Sequence, residues 1–127
     1  MVHNGKKARR LVVGEETYLW SLGHEHHAEQ GRYRDCREIL TLRRWGARGR
    51  LLIVFEQKAG NLVSDGYLLS SGAAVSAGEL RPNLHEPGTV RALLDAAIAG
   101  GWAADDPAAL HLDGWVLADS VARFKKA

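Results

Sequence analysis

The densest run of metal-ligating and proton-moving groups in the chain is His24-Glu25-His26-His27. It follows Thr17-Tyr18-Leu19-Trp20-Ser21-Leu22, an aromatic stretch that reads as a strand. Successive side chains of a strand alternate faces, so the spacing sends His24 and His26 one way and Glu25 and His27 the other. Two same-face imidazoles can begin a zinc or iron site, which then needs a third ligand and an open or fourth position. His85, His111 and Glu29 are the candidates for that ligand. The helical zinc-protease spacing His-Glu-x-x-His is not formed, because Ala28 stands where the second histidine belongs. The competing reading is a polar strand end whose histidines are solvated.

A second constellation is built for binding rather than chemistry. Arg43, Arg44, Trp45, Arg48 and Arg50 surround the glycines Gly46 and Gly49 in what reads as a hairpin turn. Arg, Trp and Tyr dominate the energetics of protein interfaces, and a tryptophan at a hairpin tip has no evident core role. An exposed edge strand there would also serve a partner's sheet or a second copy of the chain. Together with Arg32, Tyr33 and Arg34, the same cations interleaved with aromatics suit backbone contact and base stacking on a nucleic acid. Single-strand modules, however, display several aromatics on one sheet face, and Tyr18 and Trp20 are expected in the core.

Other chemistries lack their motifs. Ser70-Ser71-Gly72 is not a nucleophile elbow, and Gly46-Ala47-Arg48-Gly49 lacks the Lys-Ser/Thr of a phosphate-binding loop. Arginines flank Cys36 and would favour its thiolate, but a lone cysteine in a strand is ordinarily a small core residue.

These side chains must be held by the elements around them. Residues 1–8 read as a flexible basic tail, and residues 9–127 as a single domain. Arg10 to Val13 and Thr17 to about His26 form a hairpin across Gly14-Glu15-Glu16, with Tyr18, Trp20 and Leu22 on one face. Residues 28–35 read as a loop, Arg37 to Leu42 as a third strand, and Leu51 to Phe55 as a central strand covered on both faces. Gln57 to Gly66 reads as a loop ending in the turn Asp65-Gly66, with Tyr67 to Leu69 a fifth strand, and residues 70–87 are irregular.

Thr89 caps a helix whose apolar stripe is Val90, Leu93, Leu94, Ala97 and Ile98. Gly100-Gly101 ends it, and Trp102 turns back as a plug against the sheet or the helix. Leu110 to Leu112 is a candidate short strand, and residues 115–124 fit helix or strand. Strands first and a helix after argue for an α+β fold: an antiparallel β-meander of about five strands with one amphipathic helix on one face.

Val12-Val13-Gly14 through Tyr18-Leu19-Trp20, followed by the helix from Thr89 to Gly100-Gly101-Trp102, resembles small bacterial α+β proteins in which a β-meander precedes a helix ending in Gly-Trp. The resemblance implies architecture. It carries over no activity and no functional residue.

Composition bounds the rest. The chain has 127 residues, 46% hydrophobic and 25% charged, with a net charge of +2 and one cysteine. One cysteine closes no internal disulfide, no apolar run reaches membrane-spanning length, and the N-terminus lacks a signal-type apolar segment. The expectation is a cytoplasmic protein away from membranes. Charge is uneven: residues 1–50 hold eleven Lys/Arg against six Asp/Glu, and residues 51–127 hold six against nine. The expected function is non-catalytic, that of a binding or accessory protein for a protein partner or for a second copy of itself. The alternatives are a metal-binding protein or metal-dependent enzyme at His24 and His26, and weak nucleic-acid binding through the arginines.

Overall fold

A computed structural model describes residues 2–3, 8–29, 32–56, 61–64, 67–70 and 83–126. In chain order they form β1 (Val2–His3), β2 (Arg9–Val13), β3 (Glu16–Glu29), β4 (Arg32–Arg44), β5 (Arg50–Glu56), β6 (Asn61–Ser64), β7 (Tyr67–Ser70), α1 (Pro87–Ala99), β8 (Ala109–Asp113) and α2 (Gly114–Lys126). The class is α+β. A mostly antiparallel sheet runs β3-β4-β5-β8, with β1 and β2 both paired to the outer side of β3, and β6 and β7 form a separate two-stranded hairpin. Within the segment expected as a tail, Val2 and His3 pair with Glu25 and His24.

The meander follows from local signals. Gly14 takes φ +61° in the turn that joins β2 to β3, a conformation that favours glycine. Tyr18 lies opposite Leu11 and Arg44, and Trp20 opposite Leu42. Their alternation with Leu22 holds: Tyr18 and Trp20 are buried and Leu22 packs against the core.

β5 differs from the expectation that both its faces are covered. Leu51, Ile53 and Phe55 are fully buried, whereas Leu52 and Val54 on the opposite face are only half-buried. The reason is topological. β5 lies between β4 and the parallel strand β8, and both helices pack on the Leu51 face, leaving the Leu52 face outside the core cluster.

The segment 28–35, expected as a loop, lies largely in strands: the β3–β4 ribbon pairs as far as Glu29 and Arg32. Its hydrophobic signal stops near Leu22, so only the pairing of the two polar arms with each other reveals it. β6 likewise occupies part of the loop expected from Gln57 to Gly66. The turn at residues 65–66 and most of the irregular segment, 71–82, lie outside the described residues.

Helix α1 begins earlier than Thr89. Pro87 occupies the first turn after Glu86 at the N-cap position, as proline's fixed φ and missing N–H favour. Val90, Leu93, Leu94 and Ala97 enter the core, but Ile98 remains 42% exposed at the edge of the stripe. Gly101, at φ +113°, reverses the chain, and the Trp102 N–H donates to the Ala97 carbonyl at 3.0 Å. Trp102 then plugs the core beside Tyr18, with ring centroids 6.3 Å apart.

The ambiguous segment from residue 115 is a second helix. Asp113 starts it, its carboxylate accepting from the Trp115 N–H at 2.9 Å. Gly114 permits it to start over the sheet: a β-carbon there would lie 2.6 Å from atoms of the Phe55 ring. Trp115 meets Phe55 edge-on at 5.5 Å and donates its indole N–H to the Glu56 carbonyl at 2.8 Å.

Candidate interaction site

The β4–β5 turn is held from two sides. The Trp45 N–H donates to the Thr17 carbonyl at 2.7 Å, and the Ala47 N–H closes the turn onto the Arg44 carbonyl at 3.0 Å. Gly46 supplies φ +83°. On the far side the Gly49 N–H donates to the Ala104 carbonyl at 3.0 Å. A β-carbon on Gly49 would lie 2.4 Å from the Asp106 carbonyl oxygen and 2.5 Å from that of Ala104, so only glycine permits this approach. The turn is therefore anchored both to β3 and to the loop after α1.

This scaffold separates the five residues singled out in the sequence. Arg44 lies on the core side, paired with Asp105 and 3.7 Å from Glu16, so it braces the turn. Arg43, Arg48 and Arg50 are exposed, and Trp45 is 66% exposed. Val12, opposite Thr17 on β2, is 65% exposed and extends the apolar surface of the tip.

Register reveals a further cation. Arg10 lies opposite Leu19, and Leu19 opposite Arg43. Leu42 pairs with Leu51, which sets Arg43 and Arg50 in the same row one step further on. Arg10, Arg43 and Arg50 thus line one end of the outer sheet face, 33 and 7 residues apart in sequence. Only the strand pairing brings them together.

The histidine segment continues β3 into the polar ribbon that it forms with β4. His24 lies opposite Glu38, and its Nδ1 meets the Glu38 carboxylate. The backbone register shifts between Glu25 and His27, where residues 35 and 36 of β4 stand against the single residue 26 of β3, a bulge in the ribbon. The side chains of His26, Glu29 and Cys36 lie outside the described residues.

Of the other proposed ligands, His111 pairs with Leu52 on the outer face, whereas His24 sits in the register of the core face. The His85 carbonyl accepts from Arg9 at 2.9 Å, and Arg9 stacks 4.7 Å over Trp20, four residues from His24 along β3. Among the described residues no three His, Cys, Asp or Glu side chains form a group that could hold a metal ion.

The opposite end of the outer face carries a cleft of about 300 Å³ lined by Arg37, Val54, Glu56, His111, Leu112 and Asp113. Arg37 is paired there with Glu25. Periodicity alone does not find this cleft, because it forms between β4, β5 and the parallel strand β8. No described helix is long and apolar enough to cross a membrane.

No family model matches the chain, and neither does any curated protein or solved structure, so the functional reading rests on the geometry above.

Proposed function

We propose that this chain is a non-catalytic binding protein whose β4–β5 tip docks on another protein. One observation carries the reading: Trp45 is 66% exposed on a turn whose backbone is fixed at both ends. A large aromatic held rigidly in solvent loses little conformational freedom on binding and gains its full burial there. The exposed Arg43, Arg48 and Arg50 around it favour an acidic partner surface and steer the encounter. A protein is favoured over a nucleic acid because Tyr18, Trp20 and Phe55 all face the core, leaving Trp45 the one aromatic on the described outer face. A stacking platform for single strands uses several.

The test is a photo-reactive phenylalanine in place of Trp45, activated in the cells that make the protein. The expected result is a discrete protein adduct that weakens when Arg43 and Arg48 are replaced by Glu. The same group in place of the exposed Glu86 should give no such adduct. Adducts confined to nucleic acid, or none at position 45, would overturn the reading.

A further inference from the structure

The arginines whose side chains are described fall into two sets. Arg37 pairs with Glu25, Arg44 with Asp105 and Glu16, and Arg91 with Asp95, while Arg9 stacks on Trp20 and donates to the His85 carbonyl. Arg10, Arg43, Arg48 and Arg50 are exposed and form no ion pair or hydrogen bond with any described residue. The second set is gathered in one place, at one end of the outer sheet face and on the turn beside it.

Strand register fixes the geometry. Arg10, Leu19, Arg43 and Arg50 occupy one row across β2, β3, β4 and β5. Neighbouring strands lie about 4.8 Å apart, so Arg43 and Arg50 are immediate cross-strand neighbours and Arg10 stands about 10 Å from Arg43. Like charges directly opposite each other destabilise a strand pair, and a carboxylate in an adjacent row would relieve them. The next row on this face is Ser21, Thr41 and Leu52, and the one after it is Gly23, Ile39 and Val54. Neither holds a carboxylate on β3, β4 or β5. Along β5 the first carboxylate on this face is Glu56, about 20 Å from Arg50.

We propose that the arginine row is a phosphoryl-binding site, and that the protein segment docked at Trp45 carries a phosphorylated side chain seated between Arg43 and Arg50. The inference rests on the docking role of the tip and specifies the chemistry of its partner. A carboxylate carries one charge, and one guanidinium satisfies it in a two-bond fork. A phosphodiester of a nucleic acid also carries one charge. Two adjacent unpaired guanidiniums match a group with about two charges and three acceptor oxygens, which a phosphorylated side chain supplies at neutral pH. Arginine clusters recognise phosphorylated segments by this complementarity. Ser21 and Thr41, half-buried in the next row, add hydroxyl donors. Trp45, exposed one row beyond Arg43 on the other side, offers an apolar contact to a residue beside the phosphoryl group.

The test is NMR of the full chain, following the arginine Nε–H signals during titration at constant ionic strength. The probes are a short phosphoserine peptide with leucine beside the phosphoserine, its unphosphorylated and glutamate counterparts, and inorganic phosphate. The expected result is that the phosphopeptide shifts the Arg43 and Arg50 signals and binds at least about tenfold more tightly than the glutamate peptide. Arg43→Ala with Arg50→Ala should abolish that preference. Arg43→Lys with Arg50→Lys, which keeps the charges without the fork, should reduce it. Arg91→Ala, on α1, should leave it intact. All of these side chains are exposed, so each variant should keep the far-ultraviolet dichroism of the parent. Equal binding of the phosphoserine and glutamate peptides, or inorganic phosphate binding as tightly as the phosphopeptide, would overturn the inference. In cells, the protein adduct at position 45 should be lost when a broad-specificity protein phosphatase is co-expressed. An adduct indifferent to the phosphatase would overturn the inference and leave the docking role of the tip standing. Absence of any adduct would remove the docking role, and the inference with it.

Discussion

Gly114 lies against the ring of Phe55 so closely that a β-carbon would stand 2.6 Å from three of its carbons. Helix α2 therefore begins where it does because position 114 has no side chain. Gly114→Ala should destabilise the fold by about 1–3 kcal/mol, the usual cost of overpacking a filled site. Gly49→Ala should cost more than Gly114→Ala, since its obstacle is backbone carbonyl oxygen rather than a ring that can tilt. Urea titrations of the two variants check the order, and equal midpoints would contradict it.

Trp20, Trp102 and Trp45 should divide sharply in their effect on stability. Trp20 is 2% exposed and Trp102 6%, so Trp20→Ala and Trp102→Ala should each lose about 3–5 kcal/mol. Trp45→Ala should change stability by no more than about 0.5 kcal/mol, because its ring is mostly in water. Denaturation midpoints measure all three. A large loss at position 45 would mean that the residue serves the fold rather than a partner.

Arg44 should behave unlike its neighbour Arg43. It pairs with Asp105, sixty-one residues away, and with Glu16, which ties the turn to the loop after α1. Asp105 is 80% exposed, so water screens the pair strongly. A double-mutant cycle with Arg44→Ala and Asp105→Ala should give a coupling of about 1 kcal/mol or less, smaller still at high salt. Arg43→Ala should leave stability unchanged.

Tyr18 should ionise later than an ordinary tyrosine. Burial raises its pKa above the usual 10.0, and the hydrogen bond to Glu16 at 2.9 Å, with that carboxylate's charge, raises it further against the opposing effect of Arg44. The folded state thus holds this proton more tightly than the unfolded chain. The associated stability is fully present below the unfolded value and is lost as pH rises through the folded one. Ultraviolet titration of the phenolates should show a late-ionising group that disappears in Tyr18→Phe and moves toward the ordinary range in Glu16→Gln.

Much of the sheet is legible in the sequence because short-range signals agree with tertiary placement. The alternation of Tyr18, Trp20 and Leu22, the glycine turn at Gly14, and the stop at Gly100-Gly101 all correspond to the elements found. What is not legible is set by contacts distant in sequence. The ribbon arms beyond Leu22 carry no apolar period, so they read as loop until paired. Helix α2 is obscured because Val116, 69% exposed, interrupts the stripe formed by Trp115, Leu117, Ala118 and Val121. Asp113-Gly114 was the available start signal, an Asx cap followed by a residue small enough to clear Phe55. At the tip, Trp45 stands out in the sequence, whereas Arg10 joins Arg43 and Arg50 only through strand register. The cleft between β4, β5 and β8 depends on the parallel β5–β8 pairing, which no local pattern encodes.

The two anchors of the β4–β5 turn have a thermodynamic consequence. Thr17 and Ala104 lie far apart along the chain, and the turn needs both to take its shape. A chain that has lost its C-terminal half, or that opens locally there, no longer presents the tip in this shape. Occupancy of the tip should therefore be linked to completed folding. A partner that docks there as proposed would raise the unfolding midpoint with the logarithm of its concentration, and truncated or misfolded copies would not bind it.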